Sequence, residues 1–298
     1  MLGRALIALL VAVALFAAGC SGDDADDGRP LVVVTTTILG DVVANVVGDG
    51  ATVEVLMPAG ADPHDYIPSS QQVARIHQAD LVVVNGLGLE AGLSDVLESA
   101  VADGANLIEI APHLDPLPFG GGDELDPHMW MDPLRMKVAA SAIAKALFLI
   151  DGDDSWYAGE AAYAAELDAA HQQIETLLAQ VPVEQRKLVT NHDSLGYLAD
   201  RYGFVVIGTV IPGGSSLGNP SSAQLAELVA TVERESVPAI FAETTEAQDL
   251  ADTVAAEVGH DVAVVVLLTG SLAEAGSPGD TLIGMLLIDA ERIAEALG

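Results

Sequence analysis

The chain has a single cysteine, Cys20, in 298 residues. No intramolecular disulfide can form, so the fold must hold by burial and hydrogen bonding alone. Basic residues are almost as scarce. Eleven Lys and Arg stand against 44 Asp and Glu, for a formal net charge of −33. Phosphate backbones are bound by clustered Lys and Arg, so this deficit argues against nucleic acid as a partner. No apolar run reaches bilayer length; the longest, Ala5–Ala18, falls short of the ~20 residues a spanning helix needs. No His-Glu-x-x-His helix is present, and Gly213-Gly214-Ser215 lacks the Gly-Lys-Ser/Thr of a phosphate-binding loop and reads as a plain turn.

What is present begins with an export leader. Residues 1–19 carry one positive charge, Arg4, then the apolar run, then small residues ahead of Cys20, which is the pattern of a secretion signal. A cysteine directly after Ala17-Ala18-Gly19 resembles a bacterial lipoprotein box, with Ala17 where leucine is commoner. Lipid on Cys20 would anchor the chain to the outer face of the cell membrane. Residues 20–30 then read as a flexible acidic tether. The acidity of the rest reads as a solvated coat rather than a cation sponge. With 51% hydrophobic residues, a mature chain of about 280 residues can bury one large core or two ordinary ones.

The pattern favours two. Apolar strand-like runs alternate with helical periodicity: strands at Leu31–Thr37, Thr52–Met57, Leu81–Val84 and Asn106–Ile110, and helices at Ile38–Val47, Ser69–Ala79 and Leu93–Ala102. A second series has strands at Lys187–Thr190, Val205–Val210, Ala239–Ala242 and Val262–Leu268, with helices at Leu195–Tyr202, Ser222–Glu235, Gln248–Val258 and Thr281–Leu297. Continuous Val/Leu/Ile strands between helices indicate parallel sheets covered on both faces. Between the series lie helices at Pro133–Ile150 and Asp154–Leu178; the second would be about 37 Å long at 1.5 Å per residue and act as a stiff hinge. The fold class is α/β in two lobes: residues 31–153, a linking helix 154–180, and 181–298.

Three histidines fall where strands hand over to helices, the place where sites in such folds collect. They are His64 in Asp62-Pro63-His64-Asp65-Tyr66, His128 in Asp126-Pro127-His128-Met129-Trp130-Met131-Asp132-Pro133, and His192 in Thr190-Asn191-His192-Asp193-Ser194. Three converging imidazoles would supply most of the shell of one metal ion, and with one oxygen they suit tetrahedral zinc. Manganese prefers oxygen-rich shells. His77, His113, His171 and His260 lie outside these segments and read as surface or packing residues. Asp65, Asp132 and Asp193 flank the candidates and could orient imidazoles, while Asp132 before Pro133 reads equally as a helix cap. Trp130 reads as packing and Glu90 as exposed or capping.

These stretches, together with Thr35-Thr36-Thr37-Ile38, Met57-Pro58-Ala59-Gly60-Ala61, Val84-Asn85-Gly86-Leu87-Gly88-Leu89-Glu90, Leu195-Gly196-Tyr197 and Ile240-Phe241-Ala242-Glu243, resemble in order the zinc/manganese solute-binding proteins of ABC importers, over residues 31–298. The resemblance implies two lobes joined by a rigid helix, with one metal in the cleft, delivered to a membrane permease. It implies His64, His128 and His192 as ligands. The family's fourth ligand, usually aspartate, falls on Gly270 in Thr269-Gly270-Ser271. Water could fill that place, or a carboxylate could move in. Glu243 is the candidate, ahead of Asp280, which reads as capping the last helix.

The function read from the sequence is therefore capture, not catalysis. A monomeric, lipid-anchored protein binds a divalent ion as transported ligand, Zn²⁺ in preference to Mn²⁺, and hands it to the permease. The alternatives are a zinc-dependent hydrolase, which needs a general base beside an open metal position, and a surface adhesin, a label the family has carried.

Overall fold

A computed structural model describes residues 28–119 and 122–298. The leader, Cys20 and most of the tether lie outside the described residues. Two four-stranded parallel sheets organise what is described. The first contains β1 (Leu31–Val34), β2 (Thr52–Val55), β3 (Leu81–Val84) and β4 (Leu107–Glu109), in the order β2-β1-β3-β4. The second contains β5 (Lys187–Thr190), β6 (Val205–Thr209), β7 (Ala239–Glu243) and β8 (Ala263–Leu267), in the order β6-β5-β7-β8. Both orders reverse direction beside their first strand, which opens a crevice at the carboxyl ends of β1 and β3, and again of β5 and β7.

The strand sequences explain the layering. Val32 and Val34 join one apolar cluster while Val33 joins another; Val83 faces the first and Val82 and Val84 the second. In the second sheet Ala239 and Phe241 face one way, Ile240 and Ala242 the other. Successive side chains alternate faces, so a run of consecutive valines needs cover on both sides.

That cover comes from α1 (Thr37–Val47), α2 (Ser70–Gln78), α3 (Ser94–Ala102), α4 (Pro133–Asp151), α5 (Trp156–Leu178), α6 (Gly196–Tyr202), α7 (Ser222–Glu235), α8 (Asp249–Glu257) and α9 (Leu282–Leu297). Several start on side-chain caps. Ser69 with Gln72 and Ser221 with Gln224 close capping boxes, and Thr36 accepts from the Leu39 amide. This cap corrects the first strand, which stops at Val34 because Thr36 already faces the next helix. Thr281, not Asp280, caps α9; Asp280 takes the Gly276 amide instead.

At 23 residues α5 is about 35 Å long. It packs on α4 and α1 and also on α9, so the lobes are held by more than one helix. The Asp41 carboxylate of α1 accepts from Tyr163 Oη of α5 (3.0 Å) and from the Leu282 amide opening α9 (3.2 Å). Gly159 lets α5 approach closely, since a Cβ there would stand 2.1 Å from the Val46 carbonyl oxygen. One apolar cluster runs through both lobes, from Val32 and Leu81 through Leu147 and Leu167 to Leu188, Phe241 and Leu286. Among the described residues no helix is long and apolar enough to cross a membrane.

Candidate metal centre

The two Asp-Pro-His segments fold alike. Asp62 Oδ1 accepts the backbone N–H of His64 at 2.9 Å, and Asp126 Oδ1 accepts that of His128 at 2.9 Å. An Asp that accepts the amide two residues on makes a tight local turn, and the intervening proline fixes one backbone angle of it. Each histidine is thereby presented from a rigid loop. His192 follows β5 directly, its carbonyl taking the Thr190 hydroxyl and the Ser194 amide.

All three rings are buried, and their Nε2 atoms meet. His128 Nε2 lies 3.3 Å from His64 Nε2 and 3.2 Å from His192 Nε2, with ring centroids 5.0–5.4 Å apart. A regular tetrahedron with Zn–N of about 2.0–2.1 Å has N···N edges of about 3.3–3.4 Å, so one small ion fits this spacing. The space around the imidazoles is about 190 Å³, lined also by Pro63, Trp130, Ser194, Thr245 and Thr269.

Carboxylates stand behind the rings. Asp126 Oδ1 is 2.8 Å from His128 Nδ1. His192 Nδ1 faces two, Glu243 Oε1 at 2.8 Å and Glu246 Oε1 at 2.9 Å. Such partners fix ring orientation and raise the basicity of the outward nitrogen. Glu243 is itself held by the Ser194 and Thr269 hydroxyls, and Glu246 by Asn191 Nδ2. Burial opposes charge on all three histidines. For His64, burial followed by the neighbouring His128 and His192 lowers the pKa to about 3, and burial drives His128 well down. At His192 the Glu243 and Glu246 carboxylates outweigh burial and raise the pKa to about 10. Asp126, desolvated, rises to about 7 against the pull of its hydrogen bond from the His128 amide.

The sequence candidates thus separate. His64, His128 and His192 come together, and these three form a grouping able to hold a metal. Glu243 stands behind His192, on the nitrogen facing away from the other two rings. Gly270 lines the cavity, and a Cβ on it would meet Thr245 Oγ1 at 2.9 Å, so the threonine closes the wall at that position. Asp65 is exposed, and Asp132 caps α4 through the Leu134 amide while pairing with Arg201 at 2.6 Å. Trp130 does more than pack: its ring lies edge-on to His128 and its Nε1 donates to the Thr269 carbonyl at 2.7 Å. Glu90 is buried, accepting from Thr35 Oγ1 and the Asn85 and Gly86 amides. His77, His113, His171 and His260 lie apart from the cluster; His171 meets Tyr202 Oη and His260 the Val237 carbonyl. Sequence reasoning misses the carboxylates of Asp126 and Glu246 behind the rings. The repeated Asp-Pro-His signals the first; nothing in the local pattern signals the second.

A family model described as zinc-uptake complex component A, periplasmic (ZnuA), matches residues 32–296. The manganese-binding lipoprotein MntA of Halalkalibacterium halodurans is 31% identical over 295 residues, spanning 97% of this chain and 97% of its own length. The zinc-binding protein TroA of Treponema pallidum is 32% identical over 288 residues, 93% of this chain and 92% of that protein. The solved structure of periplasmic zinc-binding TroA from the same organism aligns with a TM-score of 0.85 at 28% identity, over 91% of this chain and all of that one.

Proposed function

The chain belongs to this family of metal-uptake components, and from that premise we propose that it captures one divalent transition-metal ion outside the cytoplasm and delivers it to the permease of an ABC importer. The observation that carries the reading is the meeting of three Nε2 atoms at 3.2–3.3 Å. His64 and His128 present their nitrogens from the N-terminal lobe and His192 from the C-terminal lobe. We take the lobes as residues 31–153 and 181–298, with 154–180 linking them, and the working form as a monomer tethered through lipid on Cys20.

Zinc leads manganese as cargo on donor chemistry, since three imidazoles in a tight, buried space suit a small tetrahedral ion. The relatives are named for either metal. Glu243 supports the site by holding His192, and a hydrolase would need a base free at the metal. Glu243 Oε1 and Glu246 Oε1 instead lie 2.8 and 2.9 Å from His192 Nδ1.

Equilibrium titration of the metal-stripped protein with zinc and manganese separately tests this. One zinc per chain, bound more tightly than manganese, is expected; uptake of neither ion overturns the reading. Glu243→Gln should weaken zinc about 10- to 100-fold without changing the stoichiometry, as loss of an orienting carboxylate does. A change in the number of imidazoles bound, read by X-ray absorption, would count against the orienting role.

A further inference from the structure

We propose that the loop between β6 and α7, residues 210–221, is a clasp across the cleft that sets how fast the ion leaves, with Ser216 and Asp62 as its positioning pair. This rests on the capture function proposed above. Asp62 and Asp126 are equivalent in the two Asp-Pro-His turns but use their carboxylates differently. Asp126 Oδ1 serves both the backbone and the ring of His128. Asp62 keeps Oδ1 on the His64 amide and turns Oδ2 to the Ser216 hydroxyl of the other lobe. One carboxylate therefore ties a C-terminal-lobe loop to the turn that presents His64.

The same loop reaches the second turn by packing. Gly214 lies against the Phe119 ring, where an added Cβ would stand 2.0 Å from Phe119 Cζ, and Phe119 in turn lies edge-on to His128 with centroids 6.2 Å apart. A Cβ there would force the ring to shift. A single loop thus braces both histidines of the opposite lobe, one by a charge-assisted hydrogen bond and one through an aromatic ring.

The loop is also built to let go. Gly213 sits in open space at a φ of +96° that favours glycine, and Leu217 at the loop's tip is 55% exposed. Its backbone ties to its own lobe lie near its start, where the Val210 and Ile211 amides donate to the Thr190 and Asn191 carbonyls and the Gly213 carbonyl accepts from the Asp193 amide. The three imidazoles that surround the cavity are buried, so exchange requires a wall to move. Releasing Ser216 from Asp62 frees the His64 turn while the framework of both sheets stays intact.

The test is the rate at which zinc passes from singly loaded protein to an excess of chromogenic chelator, followed by stopped flow. A hydrogen bond to a charged group contributes about 1.5 kcal/mol or more, so Ser216→Ala should release zinc about tenfold faster. Ser216→Thr, which keeps the hydroxyl, should stay near the wild-type rate. The absorption spectrum of the cobalt-loaded protein should be unchanged in both variants, and metal-free Ser216→Ala should melt no more than a few degrees below wild type, which a general structural lesion would not allow. Release by Ser216→Ala within twofold of wild type, or an altered cobalt spectrum, overturns the clasp and leaves the capture function standing. A wild-type chain that takes up no metal removes both.

Discussion

His192→Ala should abolish most of the stabilisation that zinc confers. His192 is the imidazole that the C-terminal lobe brings to His64 and His128, so without it that bridge across the cleft is lost. Removing an orienting partner costs 10- to 100-fold in affinity, and removing a ligand should exceed a hundredfold. At a zinc concentration a thousandfold above the wild-type dissociation constant, binding stabilises the fold by about 4.1 kcal/mol. A hundredfold weaker site leaves about 1.4 kcal/mol under the same conditions. The lost ~2.7 kcal/mol corresponds to roughly 5–10 °C in the melting temperature of a chain this size. Melting the wild type and His192→Ala with and without zinc checks this. His171→Ala, on α5 and away from the cluster, is the control and should keep the wild-type shift; equal shifts in all three proteins would remove His192 from the site.

The second large effect concerns stability and pH in the metal-free protein. Asp289 of α9 is fully buried; its Oδ1 accepts the Leu268 amide at 3.0 Å while its Oδ2 has no partner. Arg292, one turn on, gives its Nη1 to the Val266 carbonyl instead. Burial pushes the carboxyl pKa up from 3.8 to about 7, the Leu268 hydrogen bond and the Arg292 charge pulling back only in part. The folded chain therefore holds this proton between about pH 4 and 7 while the unfolded chain has lost it, so stability falls as pH rises through that window and levels off above it. The difference corresponds to about 4 kcal/mol at pH 8, taking 1.36 kcal/mol per pKa unit. Asn keeps the acceptor for Leu268 and cannot ionise. Asp289→Asn should match wild type near pH 4 and exceed it by up to about 4 kcal/mol at pH 8, read from urea midpoints of metal-free protein. Parallel curves across that range would show that Asp289 does not titrate in this way.

Much of the architecture is legible in the sequence because its strands are unusually plain. Leu31–Val34 and Leu81–Val84 are unbroken apolar runs whose faces both need cover, which only a parallel sheet between helix layers provides. Strand ends are harder to read. Thr35 and Thr36 have good strand propensity, yet their side chains bind Glu90 and cap α1, and such local hydrogen bonds compete with the ladder. The three histidines stand out because each sits at a strand-to-helix handover. Their supporting groups do not. Glu246 becomes visible only once β7 has brought it beside His192, and Glu90 reads as exposed until its carboxylate is seen closing the loop after β3. The departure at Gly270 is plain in the sequence, but its filling by Thr245, 25 residues earlier, depends on how two loops meet.

X-ray absorption on the protein loaded with one equivalent of zinc tests the central claim most directly. Three imidazole nitrogens at about 2.0–2.1 Å, with at most one further light ligand, are the expected shell, falling to two imidazoles in His192→Ala. A wild-type shell of mainly oxygen atoms, or one with fewer than three imidazoles, would contradict a cleft built around His64, His128 and His192.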